Sequence, residues 1–436
     1  MNNESFGETL VDVCASVAEH GPPTYMVDRV ADAIRCAFAA EQASDDASSP
    51  LTKYRALPQE SCPCGEGATI WATGDRCSAQ SAAFRNGIAV RLLDMNDTYV
   101  ARAIVHPSDV IPALVAIAEN AQQPWERLLS GIQIAYEVVC RFADVVDLTS
   151  NGFEAATLSP LATALAGSWI VGADRSTTVE AVRLAALDAA TLGCTRQGEL
   201  SDWKGMSSAR GAVKGMFALE MARVGITAPA EAFESRSGFL NRVAGSSNFP
   251  TDSQNRVGRT LYKAFPAQIF IQTPLLLMQS LLNHEKLSQT SIRRVTVHAA
   301  RLPVKIVGAA DMDGLPPTNR ESADHNLRFC LAAMLVYGRL TTEDFEAGLG
   351  NPELCPLMSR IEVLEDGAYT EVYPQQIKAR VEVLLVGGRR LAARGSAEDL
   401  LFRRPWTSLS QGAQPESAMV WPFSLPGELP TMPRIH

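Results

Sequence analysis

At 436 residues the chain is long enough for two domains and too long for a single hydrophobic core. Its 46% hydrophobic and 20% charged residues describe an ordinary globular protein, and no apolar run reaches the roughly 18 residues of a membrane span. A formal net charge of −9 without a basic block excludes the usual nucleic-acid footprint, and it requires a local cationic pocket for any anionic substrate.

Residues 8–40 predict two amphipathic helices around the breaker Gly21-Pro22-Pro23. Residues 41–66, rich in Ser, Asp, Pro and Gly, predict a surface loop, and 68–74 a short β-like piece. Helical spacing of apolar residues follows over 81–93, 110–120, 125–142 and 178–192, with Thr177 and Thr178 as caps for the last. In 209–224, Val213, Met216, Phe217, Met221 and Val224 share one face, which predicts a core stripe. Small residues crowd 155–173 and 205–215 and permit close helix approach. Residues 248–258 are polar with Pro and Gly, a boundary signal. Beyond them, Ile292–Ala299, 360–365 and 376–386 alternate as strands do, with a helix predicted over 324–337. Strands with a helix between them suggest an α+β unit. From Arg403 the chain is Pro- and Ser-rich and predicts irregular structure.

Nine cysteines are scattered, with Cys62-Pro-Cys64 the closest pair and no C-x-x-C. That pattern predicts reduced thiols in a cytosolic protein, without a disulfide framework or iron–sulfur cluster. An acidic start lacking arginine argues against a mitochondrial transit peptide. No H-x-x-H or H-E-x-x-H spacing occurs, so neither a metal nor a cofactor is expected.

Chemistry concentrates between two apolar helical runs, where Asp94, Asp97, Thr98, His106 and Asp109 fall within residues 94–109. Buried charge is costly unless partnered, so this stretch belongs at a helix end or in a cleft. Carboxylates with a histidine are the groups of general acid–base chemistry; a solvated, N-capped helix junction is the alternative. Arg occurs 32 times and Lys seven, which singles out Lys204 and Lys263 as compact cations in an arginine-rich chain. Lys204 stands at the start of a small-residue helix, where free N–H groups also favour an anion. Among the six histidines, His20, His284 and His436 have surface contexts, His298 lies in a strand, and His106 is the best catalytic candidate.

The stretch Leu93-Asp94-Met95-Asn96-Asp97-Thr98 followed by His106-Pro107-Ser108-Asp109 resembles the signature of the MmgE/PrpD family, which includes 2-methylcitrate dehydratase and cis-aconitate decarboxylase. Four further matches follow in order: Lys204 in Asp-Trp-Lys-Gly, the segment Gly225-Ile226-Thr227-Ala228-Pro229, Lys263 in Tyr-Lys-Ala-Phe-Pro-Ala, and Ala323-Asp324-His325. The resemblance implies a mostly α fold. A large all-helical domain, 1–258 with the tail 397–436, would carry a smaller α+β lid, 259–396, with the active site between them in a homodimer. It implies metal-free, cofactor-free dehydration of a citrate-like tricarboxylate such as 2-methylcitrate or a longer alkylcitrate. Asp94 would be the base or orienter and His106 its acid–base partner. Lys204 and Lys263 would bind carboxylates, and Thr98, Asp97, Glu154 and Ser207 would contact substrate. Asp324-His325 would help hold the lid. A decarboxylase or a non-catalytic homologue are the alternatives. One departure stands out: Asn151-Gly152-Phe153-Glu154 places Glu where the family often has His. Beside a trianion Glu154 should be neutral, paired or turned away, and that end of the pocket should accept an alkyl arm.

Overall fold

The computed structural model describes residues 5–401 except 20, 45–48, 57–66, 246–247, 286 and 309–315. His20, His436, Cys62, Cys64 and the tail from 402 onward, together with the expectations placed on them, lie outside these residues.

Helices build the first part of the chain. Phe6–Glu19 and Met26–Gln42 flank the Gly-Pro-Pro turn. Ala79–Leu92, Ile111–Asn120, Trp125–Val145, Ser159–Val171, Arg175–Leu187 and Trp203–Arg223 then pack into one hydrophobic core that runs from Phe6 to Val257. A second core collects Val100 and residues from Leu261 to Leu401. It is built on a four-stranded sheet in the order Ile361–Glu365, Ile292–Ala299, Lys378–Leu385, Arg390–Ser396. The first pair is parallel and the others antiparallel. The register sets Val297 between Val363 and Val381, so one face is apolar. The helices Ile269–Glu285 and Leu327–Tyr337 pack with this sheet in the second core. The fold is mostly α with an α+β part, as the resemblance implied. No helix among the described residues is long and apolar enough to cross a membrane.

Several local expectations are corrected. Of the expected stripe, Met216 is in the core and Val213 and Met221 pack against it, but Phe217 and Val224 are 57% and 78% exposed. The buried face of Trp203–Arg223 also takes in Ser207, Ser208, Gly211, Ala212, Gly215, Ala218, Leu219 and Ala222. This helix lies against Ala79–Leu92, Ser159–Val171 and Arg175–Leu187, and the approach is closest at its glycines. A Cβ on Gly211 would come 2.8 Å from the Ala156 carbonyl, and one on Gly215 would strike the Pro160 carbonyl. Small residues therefore mark this core more faithfully than large ones. Arg175–Leu187 is capped by Asp174, whose carboxylate accepts from Thr177 N at 2.7 Å, not by a threonine side chain. Leu327–Tyr337 starts three residues later than expected, capped by Asn326, whose side chain accepts from Phe329 N at 3.0 Å. The edge strand Arg390–Ser396 escaped sequence reading because its alternating positions are exposed or only half-buried until Ser396. Ala397 and Leu401 join the second core.

Candidate active site

The helix Ala79–Leu92 ends two residues before Asp94, which adopts φ 51°, the left-handed conformation usually given to glycine after a helix. Asp tolerates it better than most residues, at a cost of about 1 kcal/mol. The turn throws the Asp94 carboxylate back onto Arg91, the cation that interrupts the apolar run of the same helix. Lys263 Nζ donates to Asp94 Oδ1 and to its carbonyl, both at 2.7 Å. Burial opposes ionisation of Asp94, yet Arg91, Lys263 and Lys204 outweigh it and hold the carboxyl well below its usual range. Asp94 is thus a fixed anion and a poor base. Its Oδ2 has no hydrogen-bond partner among the described residues.

Arg91 is the hub that sequence reading undervalued. Besides Asp94, its Nη2 reaches His106 Nε2 at 3.2 Å, and its Nε lies 3.9 Å from Asp109. His106 is held on both sides. Its Nδ1 is 3.0 Å from the Asp97 carbonyl, which only accepts, and 3.1 Å from Thr98 Oγ1. Arg91 only donates. The ring is therefore the neutral Nδ1–H tautomer, with the Nε2 lone pair facing Arg91. Burial, then Arg91 and Lys263, push its pKa well below that of a free imidazole. Asn96 Nδ2 ties Ser108 and Asp109 at 3.0 and 2.8 Å, which closes the 94–109 loop into one buried unit. A solvated junction is ruled out, since Asp94, Asn96, Asp97 and Thr98 are all buried.

Lys204, in the first turn of Trp203–Arg223, donates to both oxygens of Asp324 at 2.5 and 2.7 Å. Asp324 in turn accepts from His325 Nδ1 at 2.5 Å. His325 Nδ1 lies 3.8 Å from Asp94 Oδ2, so the second core brings a carboxylate–imidazole pair to the Arg91 cluster. The His325 side chain is 20% exposed, and its Nε2 has no hydrogen-bond partner among the described residues. Burial and Lys204 lower its pKa against the pull of Asp324. Two buried ion pairs, Lys204–Asp324 and Lys263–Asp94, thus converge here from distant parts of the chain.

The remaining expected residues lie around this centre. Asp97 faces away from it: its Oδ1 accepts from Ser108 N at 3.2 Å, and its Oδ2 pairs with Arg29 at 3.5 Å. Arg29 also donates to the Thr260 carbonyl at 3.0 Å and stacks on Tyr262. One turn along its helix, burial and Asp97 raise the buried Asp32 to about 8. A carboxyl raised from 3.8 contributes stability that is fully present below 3.8 and lost as pH rises through about 8. Between pH 5 and 8 the stability of wild type relative to Asp32→Asn should therefore fall by about 1.4 kcal/mol per pH unit. Urea unfolding at several pH values measures it, and a constant difference would mean that Asp32 is ionised in the fold.

Glu154 is paired: Arg196 Nε donates to its Oε2 at 2.5 Å, and Arg196 Nη2 donates to Ser207 Oγ at 3.3 Å. Arg196, which carried no sequence signal, leaves its buried Nη1 without a hydrogen-bond partner among the described residues. It also acts on Asp109, so this trio borders the cluster.

Asp94, Asp324 and His325 offer three donor atoms within 4.8 Å of one another, a possible metal set. The two ammonium groups already hold both carboxylates, so a divalent ion would meet their repulsion. The donor set does not fit a resident metal.

The two cores thus bring buried lysine–carboxylate pairs and an imidazole to one place, an arrangement that can carry acid–base chemistry. Comparison with known families is decisive on kinship. Residues 23–252 match the MmgE/PrpD N-terminal domain and 265–407 the C-terminal domain, so the chain belongs to the MmgE/PrpD family. It is 26% identical over 330 residues to 2-methylcitrate dehydratase of Salmonella typhimurium, covering 70% of this chain and 67% of that one. It is 25% identical over 316 residues to the mitochondrial 2-methylcitrate dehydratase of Yarrowia lipolytica, covering 67% of this chain and 59% of that one. Human cis-aconitate decarboxylase is 24% identical over 318 residues, covering 68% and 64%. The matched part thus spans about three-fifths to two-thirds of these relatives.

Proposed function

We propose that the chain is a lyase that removes water from a citrate-like tricarboxylate, 2-methylcitrate or a longer alkylcitrate, by metal-free acid–base catalysis. The observation that carries this reading is the Asp324–His325 pair set against Asp94, Arg91, Lys204 and Lys263. His325 Nε2 takes the proton next to a carboxylate, and Asp324 steadies the imidazolium. Lys204, Lys263 and Arg91 stabilise the charge that develops on that carboxylate. In the closed site every one of these cations is already paired, so substrate carboxylates must exchange with Asp94 and Asp324 as partners. His106 Nε2 presents a lone pair and no proton, so the departing hydroxyl takes the proton held on His325 Nε2 and leaves as water. Asp94 orients Lys263 rather than taking a proton. Thr98 sets the His106 ring; Asp97 supports it from behind.

The test is turnover of purified protein on citrate, 2-methylcitrate, longer alkylcitrates and cis-aconitate, reading the new double bond and carbon dioxide separately. Carbon dioxide release from cis-aconitate without dehydration would favour a decarboxylase, and neither signal a non-catalytic homologue. The Glu154–Arg196 pair neutralises charge at one end of the site. Longer alkylcitrates should then equal or exceed 2-methylcitrate in kcat/KM, at roughly 0.8 kcal/mol per buried methylene. A steady fall with chain length, unchanged in Glu154→His, would leave ordinary 2-methylcitrate dehydration as the better account. Turnover should also survive exhaustive chelation; loss on chelation with recovery on re-adding a divalent ion would refute the metal-free mechanism.

We place the homodimer contact on the helix Trp203–Arg223, because Phe217 and Val224 there expose apolar surface. Phe217→Asp should shift the mass in light scattering from dimer to monomer; an unchanged dimer would put the contact elsewhere.

A further inference from the structure

Beside the site, a cavity of about 490 Å3 opens between the turn of the hairpin formed by residues 99–105 and the loop of residues 373–375. It is lined by Arg102, Arg259, Asp144, Tyr373 and Gln375, among others. Asp144 is already engaged: it accepts from the Tyr99 hydroxyl at 2.7 Å and from Arg256 Nε at 2.6 Å. Arg102 and Arg259 have no carboxylate partner among the described residues, although the chain carries nine more acidic than basic groups. Arg259 lies over the Tyr99 ring, with its guanidinium carbon 5.1 Å from the centroid, an arrangement that leaves its N–H groups unused. Tyr373 lines the same cavity, and its hydroxyl is buried without a hydrogen-bond partner among the described residues. Two guanidinium forks without a carboxylate partner on one hollow form a receptor for planar anions.

The position matters as much as the chemistry. Arg102 precedes His106 by four residues, and Arg259 precedes Lys263 by four. The two segments that carry them are joined by the isolated bridge between Thr98 and Leu261, with hydrogen bonds of 2.9 and 2.7 Å. Tyr373 packs on Phe270 of the second core, at 6.1 Å between ring centroids. We propose that this cavity is a second ligand site, which takes an organic polycarboxylate on Arg102 and Arg259 with its carbon body against Tyr373. Occupancy ties the hairpin that carries His106 to the loop of residues 373–375. The volume exceeds what a lone phosphate fills and leaves room for a carbon skeleton.

Calorimetric titration of the full chain with citrate tests it, comparing wild type with the double variant Arg102→Ser/Arg259→Ser. The double variant should lose one binding equivalent per chain, or bind it at least about tenfold more weakly, as two lost charge-assisted contacts require. The equivalent is read as the difference between the two proteins, so the result stands whether or not the active site itself takes citrate. Both arginines are exposed, and the melting temperature and citrate-free turnover should be unchanged. Identical stoichiometry and affinity in the two proteins would overturn the proposal. Inorganic phosphate filling the same equivalent as tightly as citrate would overturn the assignment to an organic carboxylate.

Discussion

Replacing His325 by Asn should lower kcat by about a hundredfold or more while KM stays within a few-fold, since a positioned base contributes on that order. Asn retains a donor towards Asp324 but cannot take a proton. The choice of His325 over His106 rests on their lone pairs. His106 Nε2 faces Arg91, whereas His325 Nε2 has no partner and its ring is backed by Asp324. The pH profile gives a second readout. Burial and Lys204 lower the His325 pKa, so the acidic limb of kcat/KM should lie below 6.5, the free-imidazole value. Activity falls as pH drops through that limb, because the protonated ring cannot act as base. In His325→Asn the limb should vanish from the residual activity. If His325→Asn keeps near-full turnover while His106→Ala abolishes it, the roles are reversed.

Lys263→Ala should have the largest combined effect: a loss of about a hundredfold or more in turnover and about 3 kcal/mol in stability. Lys263 is buried and holds the Asp94 carboxylate and carbonyl together. Its loss removes a cation from the developing negative charge. It also leaves a buried carboxylate short of a partner, a change that costs 3–5 kcal/mol when no compensation remains. Arg91 still pairs with Asp94, which places the cost at the lower end. Urea unfolding and steady-state turnover of the same preparation measure the two parts. The double change Lys263→Met with Asp94→Asn should recover most of the stability and none of the activity. Full activity in Lys263→Ala would remove the lysine from the site.

Much of the architecture was legible because helical periodicity and alternation report local burial. The helices Ile111–Asn120 and Trp125–Val145 and the strands Ile292–Ala299 and Lys378–Leu385 all follow their patterns. The pattern held only in part on Trp203–Arg223. Met216 is buried as expected, but Phe217 and Val224 face outward, and close helix approach gives much of the buried face to Gly, Ala and Ser. Periodicity detects large side chains, so the small-residue part of this face escapes it.

The sequence by itself determined which side chains the site has available: the clustered Asp94, Thr98 and His106, the two uncommon lysines, and the motif order that marks the family. Tertiary structure alone decided how they are used. Lys263 meets Asp94 across 169 positions and Lys204 meets Asp324 across 120. Such pairings, with the pKa shifts they cause, depend on distances that no local pattern encodes. Arg91 interrupts the apolar run of its helix and is the hub of the cluster. His325 read as a lid fastener, and Arg196 carried no signal at all. A buried charge is stable only with its partner in place, and folding, not spacing, supplies the partner.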